Sequence, residues 1–102
     1  MTAPTPTVEV IDPATALLDA VLRLTDVLDA ETMTTVSMGM LAAWVGDGAG
    51  LRYRLKAIRI LPRVSRQHPD HTEDMATVWA ALTPDLGPDR RTALWLRMGG
   101  AA

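Results

Sequence analysis

Apolar positions in the first third of the chain recur with the spacing of a single helix face. Leu17, Val21, Leu24 and Leu28 fall at i, i+4, i+7 and i+11, and Leu18 and Leu22 widen the stripe. Asp12 precedes the pattern as a capping residue, and Pro13 suits a first helical position, where its missing amide costs nothing. The spacing predicts an amphipathic helix from 13 to about 31. Asp19, Arg23, Asp26 and Asp29 face outward, with Asp19 and Arg23 placed to pair at i, i+4.

The pattern over 32–45 supports two readings. Met33, Val36, Met40 and Trp44 share a helical face, yet Val36, Met38 and Met40 alternate with Ser37 and Gly39 as a strand would. Threonines 32, 34 and 35 favour a strand, whereas Leu41 to Trp44 favours a helix. Helix is preferred because the chain offers no comparable second strand for pairing. Glycines 46, 48 and 50 then interrupt the pattern.

From Leu51 the period is helical again and the polar face is basic. Arg52, Lys56, Arg59, Arg63 and Arg66 lie within an arc of roughly 80° at 100° per residue, opposite Leu51, Tyr53, Ala57, Ile58, Ile60, Leu61 and Val64. Arg54 points toward the apolar side. Pro62 withdraws the amide that would bond to Ile58, so the helix is expected to stop near Leu61 or to kink, and stopping would detach Arg63 and Arg66. A shorter helix is predicted from His71 or Thr72 to Leu82, capped by Asp70 or Thr72 and buried through Met75, Val78, Trp79 and Leu82. A last one runs from Pro88 to Met98, with Gly99 and Gly100 ending it. The expected fold is therefore all-α, a compact bundle of four to five short helices. One domain covers 12–98, between flexible tails at 1–11 and 99–102.

Composition narrows the function classes. The chain has 102 residues and no cysteine, which removes disulfide scaffolds, thiolate zinc sites and cysteine nucleophiles. Residues 1–11 carry no Lys or Arg and no apolar run, and no stretch approaches the roughly 20 apolar residues of a membrane span, so a cytoplasmic protein is expected. The net charge of −2 divides sharply. Residues 1–50 hold seven acids against Arg23 alone, a balance of −6, and residues 51–102 hold nine Lys or Arg against five acids, a balance of +4. Such halves either pair within the fold or leave a basic face for an anionic partner.

Candidate chemistry is sparse. The segment HPDHTED groups His68, Asp70, His71, Glu73 and Asp74, but histidines at i, i+3 across Pro69 do not share a regular face, and no other cluster completes a metal site. The glycines at 46–50 match neither phosphate-loop pattern, since Leu51 stands where GxGxxG needs glycine and no Gly-Lys-Ser/Thr follows. Ser37 and Ser65 sit in no nucleophile elbow. The residues point away from an enzyme and imply no cofactor or metal. What remains is an excess of methionine and tryptophan, residue types that dominate adaptable interfaces.

The stretch ALLDAVLRLTDVLDAE, with Leu17, Leu18, Leu24, Val27 and Leu28 followed by Glu31, resembles the opening helix of FlgN-type flagellar export chaperones. The resemblance spans about 16 residues. It implies a small cytoplasmic all-helical protein that holds the C-terminal helix of an exported subunit, with contacts on the C-terminal apolar face. Where that family continues in a long helical hairpin, glycines 46–50 and prolines 62, 84 and 88 divide this chain.

The sequence thus leads to a non-enzymatic helical interaction module, an adaptor or chaperone-like binder of a partner helix. Trp79, Leu82, Leu94, Trp95 and Met98 are its expected partner-binding residues, and another protein or a second copy its expected partner. The alternative is a small regulator that binds nucleic acid or another polyanion through Arg52, Lys56, Arg59, Arg63 and Arg66.

Overall fold

A computed structural model describes residues 12–46 and 48–101, so the predicted N-terminal tail lies outside the described residues. These residues form five α-helices and no strand: α1 (Pro13–Leu24), α2 (Ala30–Val45), α3 (Leu51–Ser65), α4 (Thr72–Leu82) and α5 (Pro88–Arg97). The all-α expectation holds, and 32–45 is helical.

The first helix is shorter than its apolar stripe. Instead of running to about 31 it ends at Leu24, and α2 begins at Ala30. Capping chemistry explains the break. The Thr25 hydroxyl donates to the Leu22 carbonyl at 2.6 Å, and the Asp29 carboxylate accepts from the Thr32 amide at 2.7 Å, opening a new helix. Leu28 still reaches the core, because its amide bonds back to the Leu24 carbonyl at 2.9 Å and one further turn forms. The stripe therefore continues through a corner between two helices.

The threonines of α2 are accommodated by local hydrogen bonds. Thr34 and Thr35 donate their hydroxyls to the carbonyls of Ala30 and Glu31, four residues back, at 2.8 and 3.1 Å. Gly46 closes α2 in the left-handed region at φ 72°, where a side chain would be strained. At Gly39 the issue is space. A Cβ there would stand 3.0 Å from the Arg54 Cα, 3.0 Å from Leu82 Cδ2 and 3.1 Å from the Tyr53 carbonyl oxygen, so α2 and α3 cross at backbone contact.

Pro62 does not end α3, which runs on to Ser65 and so keeps Arg63, and Arg66 follows as its C-cap with helical backbone angles. The Ile58 carbonyl, deprived of its usual donor, accepts from the Trp79 indole Nε1 of α4 at 3.0 Å. Pro62 is itself fully buried.

Helix α4 lies at the centre, with α1, α2 and α3 all resting on it. Its Met75, Val78, Trp79 and Leu82 are buried among Ala20, Leu24, Val36, Ala57 and Leu61. Neither predicted cap serves it, for Asp70 lies in the preceding 3-10 turn and Thr72 turns its hydroxyl to the Pro69 carbonyl at 3.1 Å. Trp95 of α5 meets Trp79 edge to face, with centroids 5.5 Å apart and planes at 73°.

Of the predicted tail at 99–102, Ala102 lies outside the described residues, and residues 99–101 are tied to the core by hydrogen bonds. Trp95 Nε1 donates to the Ala101 carbonyl at 2.8 Å, the Ala101 amide donates to Ser65 Oγ at 3.1 Å, and the Gly100 amide donates to the Trp95 carbonyl at 2.9 Å. A Cβ on Gly100 would collide with the Trp95 indole. The buried Trp95 indole N–H would otherwise lack a partner, and Gly100 beyond the last helix is buried against it.

Candidate functional site

Trp79, Leu82 and Trp95, expected on a partner-binding face, are buried in the core, while Leu94 and Met98 are half-buried against it. The structure does not offer this set to a partner. The driving force for burying two tryptophans is large, and α4 and α5 are too short to bury them anywhere else.

Exposed apolar surface lies instead on α1 and α2. Trp44 is 87% exposed, Leu18 57% and Leu41 49%, with Leu22, Met38 and Val45 exposed nearby in the chain. Both helices lean on α4, and between them runs a groove of about 840 Å³. Leu17, Leu18 and Val21 of α1 form one wall and Met40, Leu41 and Trp44 of α2 the other, with Ala81 and Pro84 at the end of α4 as floor. Ser37 is its one polar side chain. Each wall is about two helical turns long, or about 11 Å.

Two features keep the groove apolar and open. From Thr32 to Gly46 the chain has no charged residue, so the outer side of α2 carries no charge past Glu31. A helix that is apolar on its inner and outer faces is ordinarily covered on both. A second hollow on the other side of Leu41, lined by Met38, Ala42, Val45 and Gly50, extends the apolar surface.

Among the described residues the charged halves do not pair face to face. Arg23 of α1 reaches Asp74 of α4 with Nε and Nη2, at 2.8 to 3.1 Å. Arg54 of α3 donates to the Leu82 carbonyl at 2.9 Å and to Asp85 at 2.6 Å, closing the end of α4. Arg91 similarly serves the carbonyls of Thr83 and Leu86. Arg52, Lys56, Arg59, Arg63 and Arg66 are all exposed, and none has an ion-pair partner among the described residues.

Hydrogen bonding from Arg23 holds the Asp74 carboxyl below its usual range, outweighing the opposing effect of partial burial. A carboxylate depressed on folding contributes stability above its unfolded value near 3.8, and that contribution is lost as pH falls through the folded value. Asp74→Asn should therefore show a shallower loss of stability than wild type below pH 4, while both remain flat from pH 5 to 7. Urea midpoints measured at pH 2.5 to 7 test this, and parallel curves would remove Asp74 from the acid response.

The polar cleft beside Asp74 is formed by Asp19, Arg23, Asp70, His71, Glu73 and Thr77. His71 Nδ1 lies 3.7 Å from an Asp74 oxygen, too far for a hydrogen bond, and that carboxylate is already engaged by Arg23. Among the described residues no three His, Cys, Asp or Glu side chains converge to hold a metal. No helix of the described residues is long and apolar enough to cross a membrane.

Comparison of the chain with family models, with curated proteins and with solved structures found no match.

Proposed function

We propose that this chain is a non-enzymatic helical interaction module, adaptor-like or chaperone-like, that receives an apolar helix of a partner protein in the groove between α1 and α2. One observation carries the reading: two helices lean on α4 without closing on each other, and the charge-free gap between them has Trp44 almost fully exposed on its wall. The occupant that fits is an amphipathic helix of two to three turns. Its apolar residues at i, i+3 or i+4 and i+7 would meet Leu18, Leu41 and Trp44. The stretch of residues 16–31 that resembles an export chaperone supplies one wall of this groove, which supports a chaperone-like role and moves its site from the C-terminal helices to the N-terminal ones.

Leu18 and Leu41 are exposed, so replacing either with aspartate leaves the core intact. A partner helix would then have to bury an unpaired carboxylate, a cost of several kcal/mol, so binding should fall at least about 100-fold. The test compares proteins retained from lysate of its own host by wild type and by L18D/L41D, with light scattering of both. A partner held by wild type and lost by the variant supports the reading. Identical retention by the two overturns it, and a wild-type dimer that the variant dissolves replaces the partner helix with a second copy.

A further inference from the structure

We propose that the outer face of α3 binds the phosphate backbone of duplex nucleic acid without reading its sequence. The surface is separate from the groove and independent of it. Arg52, Lys56, Arg59, Arg63 and Arg66 follow one another at steps of four, three, four and three residues, which keeps them on one side of a helix over about 21 Å. The helix is continuous through Pro62, so Arg52, Lys56, Arg59 and Arg63 lie on it, and Arg66, its C-cap, keeps helical backbone angles at the end of the stripe. It is also anchored, because the opposite side of α3 is fixed in the core by Ala57, Leu61, Pro62 and Ser65.

No acid occurs between Asp47 and Asp70, and two acids of α4 and its following loop are taken by other arginines, Asp74 by Arg23 and Asp85 by Arg54. Five like charges at these spacings repel one another along the helix, and an anionic strand would relieve that repulsion. Four of the five are arginines, whose planar fork suits phosphate oxygens.

Duplex is favoured over single strand by what the face lacks. Binding unpaired bases needs exposed aromatic rings among the cations. Trp79 and Trp95 are buried, Trp44 belongs to the groove, and the Tyr53 ring is occupied by the Arg52 guanidinium, 5.1 Å from its centroid. The face can therefore neutralise a phosphate track and has little to grip a base.

The experiment is fluorescence anisotropy of a labelled 20-base-pair DNA duplex titrated with the full chain at 50, 100 and 200 mM salt. Binding is expected at 50 mM, equal for two unrelated sequences, with log affinity falling against log salt at a slope of about −3 to −4.5, as three to five phosphate contacts require. Arg59→Gln with Arg63→Gln should reduce the slope by about two and weaken binding at least about tenfold. Both side chains are exposed and unpaired, so its circular dichroism should match wild type. L18D/L41D should bind the duplex as wild type does. No binding at 50 mM, or a slope unchanged in the arginine variant, would overturn the proposal. So would tighter binding to a single strand of the same length, or binding to phosphatidylserine vesicles without binding to duplex.

Discussion

Trp79→Ala is expected to show the largest loss of stability of any substitution considered, with the thermal midpoint lowered by about 12–40 °C. Trp79 is 1% exposed at the centre of the molecule, against Trp95 and beneath α3. Truncating a buried tryptophan costs about 3–5 kcal/mol, a large share of the roughly 5–15 kcal/mol available to a domain. Thermal unfolding followed by circular dichroism would register this drop, and a midpoint within a few degrees of wild type would contradict it. Trp79→Phe separates packing from hydrogen bonding. It keeps most of the ring but removes the donor to the Ile58 carbonyl, with an expected cost of about 1–2 kcal/mol. In a Pro62→Ala background residue 62 regains an amide that can serve the same carbonyl, so the same change should cost about 1 kcal/mol less. Equal costs in the two backgrounds would mean that proline and indole are not linked through that carbonyl.

Gly39→Val should be strongly destabilising, though nothing in the local sequence pattern marks the position. Alanine at a helical glycine ordinarily gains up to about 1 kcal/mol from propensity. Here the added Cβ meets the Arg54 backbone, which cannot rotate away as a side chain can, so overpacking of about 1–3 kcal/mol outweighs the gain. Valine adds two methyl groups to the same contact, and a loss of about 3 kcal/mol is expected. For a domain of this size each kcal/mol lowers the melting temperature by about 4–8 °C. Calorimetry of the glycine, alanine and valine proteins should show midpoints falling in that order. An alanine protein more stable than wild type would show that α2 and α3 can separate without cost.

The parts of the fold that depend on neighbours in sequence were legible. Asp12 and Pro13 start α1, the period from Leu51 forms α3, and Gly87 with Pro88 opens α5, each as local chemistry requires. Asp29 was legible only as an outward-facing acid, although an aspartate two residues before Glu31 is also a helix start. The continuing apolar stripe masked it, because Leu28 is buried from a turn as well as it would be from a helix. The basic stripe was readable as far as Pro62, since a helix face is set by residue spacing, but whether Arg63 and Arg66 belonged to it depended on what Pro62 did to the helix. The groove was not. Leu18, Leu41 and Trp44 follow the same apolar periodicity as Leu24, Val36 and Trp79, and periodicity carries no record of which neighbour, if any, covers a residue.

Sequence alone determined that the chain is helical, where most helices start, that its charge is divided, and that the cations from Arg52 to Arg66 have the spacing of one helix face. Those properties follow from backbone sterics, capping and a 3.6-residue period, all of which act within a few residues. Only the tertiary structure decided which tryptophans became core and which stayed outside, that α3 passes through Pro62 because an indole from α4 meets the freed carbonyl, and that the acidic and basic halves do not cover each other. These outcomes depend on how α1, α2 and α3 share the surface of α4. Among the described residues that allocation leaves the outer side of α2 exposed and the cations on the outer side of α3 without ion-pair partners.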